Sequence, residues 1–133
     1  MGRAGTAMLL EQVEHTIISE ASFPIEMKAV GEGFHDLRLD CDMQVRGRIT
    51  VFVRKERNLD GSHTWRITDD AYTVRHCKNA WNDYYDDIAA ICIRNSVQES
   101  IGELYTIVDT APYTSLCCLL CAIIEIRGRV GLV

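Results

Sequence analysis

The stretch that decides the fold is Leu37–Val53, which reads LRLDCDMQVRGRITVFV. Apolar side chains occupy every second position on either side of Gly47, namely Leu37, Leu39, Cys41, Met43, Val45, Ile49, Val51 and Val53. Charged and polar residues fill most of the positions between them. Successive side chains of a strand point to opposite faces of a sheet, so this alternation predicts one apolar face and one charged face. A sheet of this kind is antiparallel, covered on one side and exposed to water on the other.

The same stretch predicts where its strands begin and end. We interpret Leu37–Arg46 and Arg48–Arg57 as strands that meet near Gly47, through either a tight hairpin or a bulge or bend in one long strand. The sequence NLDGS at residues 58–62 has Asp-Gly at its centre, which is a strong turn signal.

Further strands are predicted on both sides. His63–Ile67 returns after the turn, and the alternation of apolar and polar residues continues over Tyr72–Cys77. Upstream, Pro24–Gly33 is ambiguous. Residues 25–30 fit a short strand, and Gly31-Glu32-Gly33 is typical of a turn.

Helical spacing of apolar residues occurs in two segments. It predicts a first helix over Met8–Glu20 and a long one that begins near Asn79 and ends between Gly102 and Pro112, with a break near Asn95–Ser96 as an alternative. Thr114–Ile126 is apolar almost throughout, and its pattern fits a buried strand and a core helix equally.

Length and composition indicate one domain. The chain has 133 residues, of which 47% are hydrophobic and 25% charged, as in ordinary globular proteins. This length supports a single core and is short for two domains. We therefore predict one α+β domain over residues 1–133, with an antiparallel sheet of three to five strands and helices packed on one face.

Charge is distributed unevenly along the chain. The net charge is −5, which argues against binding nucleic acid or membranes through bulk charge. Residues 34–78, which contain the predicted sheet, carry a net charge of +2, with 7 arginines and 2 lysines. The segments before and after them are acidic, so the sheet is the only basic part of the sequence.

Apolar runs and cysteines bear on the cellular compartment. The run at residues 8–10 is too short for a secretory signal, and the nine residues Leu116–Ile124 are too few to cross a bilayer. Four of the six cysteines lie in strongly apolar runs, where reduced, buried thiols are expected. We expect a cytoplasmic protein without membrane contact.

The polar face of the predicted sheet is the candidate binding site. Arginine binds phosphates and carboxylates through two parallel hydrogen bonds, and a neighbouring aromatic ring can stack on a base. The alternative is an ordinary solvated face on which aspartates neutralise the arginines across strands. The candidate ligand-binding residues are Arg48, Phe52, Arg54, Arg66, Arg75 and Trp81.

Other motifs in the sequence have structural explanations. The aspartates at 83, 86 and 87 could bind a cation, but they also fit the N-terminal end of a helix. Cys118 and Cys121 form a C-x-x-C motif inside an apolar run, where core packing is the alternative to redox or zinc chemistry. His76 and Cys77 would point to opposite faces of a strand. We predict no catalytic residue, no metal site and no cofactor.

The sequence supports three functional hypotheses. The first is a non-enzymatic binding module for an anionic ligand, which could be a nucleotide, a nucleic acid or an acidic protein surface, and which could make the protein an inhibitor or a sequestering protein. The second is an oligomeric, chaperone-like adaptor without a small-molecule ligand, and the third is a Cys/His enzyme. The apolar surplus of residues 81–108 and 114–126 predicts a homo-oligomer.

Overall fold

The computed structural model describes residues 8–30, 35–108 and 111–131, without the side chain of Val45. The predicted turn at residues 31–33 lies outside the described residues. The helices are α1 (Leu10–Glu20), α2 (Tyr72–Cys77), α3 (Asn79–Asp83), α4 (Tyr85–Arg94) and α5 (Pro112–Arg129). The strands are β1 (Ile25–Ala29), β2 (Leu37–Asp42), β3 (Arg48–Arg57), β4 (His63–Thr68), β5 (Gln98–Ser100) and β6 (Glu103–Val108).

The strands form a single antiparallel sheet in the order β1-β2-β3-β4-β6-β5. The α+β class and the antiparallel sheet are therefore confirmed. In the part of the chain that the structure describes, the sheet has six strands, one more than the upper end of the predicted range. The difference arises because β5 and β6 lie in a segment for which the apolar spacing predicted a helix.

The alternation in Leu37–Val53 determines the faces of the sheet as predicted. Leu39 pairs with Val51, and both are fully buried on the apolar face. Arg38 pairs with Phe52 on the opposite face. Strand β2 ends at Asp42, before the predicted Arg46, because residues 44–46 form a 3₁₀ turn that closes a β2–β3 hairpin. Gly47 adopts φ of 81°, which favours glycine at the end of this turn.

Helix α5 fills the core against the apolar face. The alternatives for Thr114–Ile126 are decided in favour of a helix, with Pro112 in its first turn, where a missing N–H costs nothing. It packs on β4 and β6 and is flanked by α1 and α4. Its buried side chains are Pro112, Leu116, Leu119, Leu120, Ala122, Ile123 and Ile126.

The strand predicted at Tyr72–Cys77 is wrong, because this segment is helix α2. The carboxylate of Asp69 accepts hydrogen bonds from the backbone N–H groups of Ala71 and Thr73 and so supports the first turn. Thr73 and Cys77 are the buried residues of α2, and they are four apart, which is helical spacing.

The long helix predicted from Asn79 is wrong in its second half. The helical region is divided into α3 and α4 and ends at Arg94, after which Ser96 turns the chain with φ of 59°. In β6, Leu104, Thr106 and Val108 are buried at alternate positions. These residues also fit helical spacing, so the pairing of β6 with β4 decided between the two patterns.

A helix that crosses a bilayer must be both long and apolar. Across residues 8–30, 35–108 and 111–131, no helix has this combination of length and apolar character.

Candidate anion-binding cleft

A notch opens in the sheet because β3 is longer than β4. The pairing of these strands begins at Phe52 with Thr68, so residues 48–51 of β3 have no partner on that side. Beyond Thr68 the chain turns through Asp69, Asp70 and Ala71 into α2. The last turns of α5 lie beside the same opening. A cleft forms between the beginning of β3, the turn into α2 and the end of α5, and β2 contributes a further wall.

The cleft has a volume of about 390 Å³, within the range of roughly 300–1,000 Å³ usual for small-molecule sites. Its walls come from β2, the beginning of β3, residues 69–75 and the C-terminal half of α5. The lining residues are Arg38, Arg48, Ile49, Thr50, Phe52, Asp69, Asp70, Tyr72, Thr73, Arg75, Ile123 and Arg127.

Three of the four arginines in this cleft have no carboxylate partner. Within residues 8–30, 35–108 and 111–131, no carboxylate lies within 4.0 Å of the guanidinium of Arg48, Arg75 or Arg127. Asp42 pairs in register with Arg48, but its carboxylate accepts a hydrogen bond from the backbone N–H of Gln44. The Nε atom of Arg127 is buried and has no hydrogen-bond partner in the described part of the chain. A buried donor without an acceptor costs free energy, and no carboxylate within the described residues compensates this guanidinium.

The fourth arginine, Arg38, is neutralised within the sheet. Its Nε atom lies 3.2 Å from a carboxylate oxygen of Asp40, which also accepts a hydrogen bond from the hydroxyl of Thr50. Burial raises the pKa of the Asp40 carboxyl, but these hydrogen bonds and the charges of Arg38 and Arg48 outweigh it, and the pKa is lowered. Asp40 is therefore ionised, and Arg38 contributes little free charge to the cleft.

Asp69 stabilises the turn into α2, which borders the cleft. Its side chain is 1% exposed and accepts hydrogen bonds from the backbone N–H groups of Ala71, Thr73 and Leu104. Burial raises the pKa of Asp69, although these hydrogen bonds act in the opposite direction. Asp70 and Ala71 adopt φ of 54° and 61°, a left-handed conformation that is strained for residues with a side chain. The bonds of Asp69 hold this turn in place.

Two aromatic side chains border the cleft, and a histidine is stacked on each. The rings of Phe52 and His35 are 4.4 Å apart at an angle of 20°, and those of Tyr72 and His76 are 5.9 Å apart at 16°. The Nε2 atom of His35 lies 3.5 Å from Asp70. Phe52 comes from the sheet and Tyr72 from α2, so aromatic surface lies on two different walls.

The cleft brings together three of the six predicted site residues, Arg48, Phe52 and Arg75. Arg54 and Arg66 pair directly across β3 and β4, as the predicted hairpin requires, but they do not line the cleft. Trp81 is 6% exposed and belongs to the core.

Arg54 and Arg66 are held in a network of ion pairs on the polar face. Glu56 lies 3.0 Å from Arg54 and 2.6 Å from Arg66, and Glu103 lies 3.0 Å from Arg66. The guanidinium of Arg66 also lies 3.7 Å from the ring centroid of Tyr105. On this part of the face the charges are neutralised across strands, which is the arrangement of an ordinary solvated face.

Sequence reasoning missed Tyr72 and Arg127 as cleft residues. The sequence predicts a strand at Tyr72, and no local pattern around Arg127 predicts that it lies near the sheet. The one available signal was the position of Arg127 at the polar end of an apolar segment, where basic residues are common for reasons of the helix dipole alone.

The other candidate reactive side chains are histidine, cysteine and aspartate residues of the helices. His76 is exposed on α2, whereas Cys77 is buried, and burial raises the pKa of its thiol. Cys118 and Cys121 lie within α5, where Cys118 is partly exposed and Cys121 is exposed, so the expectation that both thiols are buried is wrong. Asp87 lies 2.8 Å from Arg129. Among the residues that the structure describes, no three His, Cys, Asp or Glu side chains are grouped as a metal site requires.

Comparisons with models of protein families, with curated proteins and with solved structures find no match for this chain.

Proposed function

We propose that this chain is a non-enzymatic binding module that holds a small anionic ligand in the cleft. The observation that carries the proposal is that Arg48, Arg75 and Arg127 border one cavity without a carboxylate partner in the described part of the chain. A guanidinium group forms strong, charge-assisted hydrogen bonds to carboxylate and phosphate groups. Three of them on separate walls can surround an anion.

The geometry favours a small ligand over a nucleic-acid strand or an acidic protein surface. A partner of either kind would need an extended basic surface, whereas Arg54 and Arg66 on the open face are neutralised by Glu56 and Glu103. The unpaired arginines lie in a concave site instead. The identity of the bound anion would determine whether the module acts as an inhibitor or as a sequestering protein.

The proposal includes the cytoplasm as the compartment. The buried cysteines Cys41, Cys77 and Cys92 are free thiols, and reduced thiols are usual in the cytosol.

The test is an NMR titration of the protein with inorganic phosphate, pyrophosphate and citrate at low ionic strength. We expect the amide signals of residues 48–52 and 69–75 to shift. Arg75→Ala and Arg127→Ala should each weaken binding about tenfold, because a charge-assisted hydrogen bond contributes about 1.5–3 kcal/mol.

Two further variants serve as comparisons. Arg57→Ala removes the same charge from an exposed position of β3 away from the cleft, and it should leave binding unchanged. Arg54→Ala tests the hypothesis, drawn from the sequence, that the open face binds the ligand. Loss of binding in Arg54→Ala with full binding in Arg75→Ala would move the site to that face and overturn the proposal.

A further inference from the structure

We infer that the ligand of the cleft is a mononucleotide, with its phosphate at the arginines and its base against Phe52 and Tyr72. This inference rests on the proposed function and specifies its ligand. The lining of the cleft contains both guanidinium groups and aromatic rings, and a nucleotide has the two corresponding parts, a phosphate and a base.

The charge of the cleft fits a phosphate monoester. Arg38 is paired with Asp40, so these two side chains neutralise each other. The three unpaired arginines and the aspartates Asp69 and Asp70 remain, a surplus of one positive charge when both carboxylates are ionised. A phosphate monoester carries about −1.5 to −2 at neutral pH. A single phosphate group is therefore enough to balance the positive charge of the site.

The arginines also provide the directions that a phosphate needs. Arg48 begins β3, Arg75 lies on α2 and Arg127 lies near the end of α5. These elements form separate walls, so the donors can approach different oxygens of one phosphate. Arg127 has no carboxylate partner within the described residues, and its Nε atom is buried without an acceptor, so its positive charge is not compensated within them.

The aromatic walls fit a planar base. Phe52 and Tyr72 are each stacked with a histidine, which limits the orientations of their rings before any ligand arrives. Such preorganisation lowers the entropy cost of binding. Stacking of a base on an aromatic side chain raises the affinity by about fivefold or more. A sugar phosphate or an inorganic anion would leave these walls unused.

The experiment compares the affinities of inorganic phosphate, ribose 5-phosphate and the four common ribonucleoside 5′-monophosphates by isothermal titration calorimetry. We expect at least one nucleotide to bind more tightly than ribose 5-phosphate, by about fivefold or more. Phe52→Leu and Tyr72→Leu keep an apolar side chain but remove the ring. They should lower the affinity for that nucleotide by a larger factor than they lower the affinity for ribose 5-phosphate, and equal factors would contradict base stacking.

The outcomes separate this inference from the proposed function. Equal affinities for ribose 5-phosphate and all four nucleotides, each lost in Arg75→Ala, would overturn the nucleotide and leave the anion-binding module standing. Absence of binding for every one of these anions would overturn both. Circular dichroism of each variant confirms that the fold is retained.

Discussion

At the scale of single residues, Asp69 connects the fold with the cleft. Its two carboxylate oxygens accept three backbone hydrogen bonds, two from the turn into α2 and one from Leu104 in β6. One side chain thus ties the end of β4, the beginning of α2 and a neighbouring strand together. The strained conformation of Asp70 and Ala71 persists because these bonds offset its cost.

Replacing Asp69 should destabilise the protein more than replacing any exposed aspartate. Asp69→Ala leaves three backbone donors without an acceptor, and we expect the free energy of unfolding to fall by at least about 2 kcal/mol. Asp83→Ala, at an exposed position, is the control and should change stability by at most about 0.5 kcal/mol. Urea denaturation measures both, and equal effects would show that the bonds of Asp69 contribute little.

Asp40 gives the stability a defined dependence on pH. Its pKa in the folded protein is lowered below the ordinary value of 3.8. The folded state therefore binds this proton less tightly than the unfolded state does. The resulting stabilisation is present above pH 3.8 and is lost as the pH falls through the lowered value.

The pH dependence is checked by urea denaturation of the wild type and Asp40→Asn between about pH 5 and about pH 2. We expect the stability advantage of the wild type over the variant to decrease as the pH falls. An advantage that stays constant over this range would contradict the role of Asp40.

At the scale of elements, the β5–β6 hairpin has an unfavourable residue in its turn. Ile101 adopts φ of 51° and is 99% exposed, so a β-branched side chain occupies a left-handed position without gaining burial. Gly102 follows with φ of 83°. Two consecutive residues of positive φ are typical of a type I′ hairpin turn, which prefers Asn-Gly.

Ile101→Asn should therefore stabilise the protein, by about 1 kcal/mol. Gly102→Ala should do the opposite, because its Cβ would lie 2.8 Å from Cγ1 of Val74 in α2 and its φ is positive. Thermal unfolding of the two variants and the wild type measures this. A lower melting temperature for Ile101→Asn would show that the isoleucine has a contact partner.

At the scale of the whole molecule, the apolar surplus found in the sequence is largely taken up within the chain. The buried side chains of α5 pack against the sheet of the same chain and cannot also form a subunit interface. The homo-oligomer stays a prediction, and its interface would need other apolar surface. Ile18 on α1 and Ile93 on α4 are 56% and 79% exposed.

Light scattering after size-exclusion chromatography checks the oligomeric state. We expect a mass that is a multiple of 15.0 kDa, and we expect Ile18→Glu or Ile93→Glu to reduce it, because a charge in an apolar interface is costly. Ser19→Glu, at an exposed position beside Ile18, is the matched control. A monomeric wild type would refute the prediction.

The central part of the sheet follows from local patterns in the sequence. The alternation in Leu37–Val53 and the turn signal at residues 58–62 predicted β2, β3 and β4 and the faces of the sheet. A side-chain period of two is visible in the local sequence alone. It also fixes which residues face the core, because a shift of one residue would turn every apolar side chain toward water.

Two segments have apolar spacing that fits both a helix and a strand, and tertiary contacts select one of the two. For residues 98–108, the pairing of β6 with β4 selects the strand. For residues 114–126, burial between the sheet and the flanking helices selects the helix. The backbone hydrogen bonds and burial that decide between these patterns come from residues far away in the sequence.

The cleft is likewise a product of tertiary structure. The sequence placed arginines on the polar face, but it could not show which of them stay unpaired. Glu103, which neutralises Arg66, lies 37 positions further along the chain, and Arg127 reaches the cleft from the last helix. Charge pairing depends on distance in space, so the sequence supplied the arginines and the fold decided which of them face a ligand.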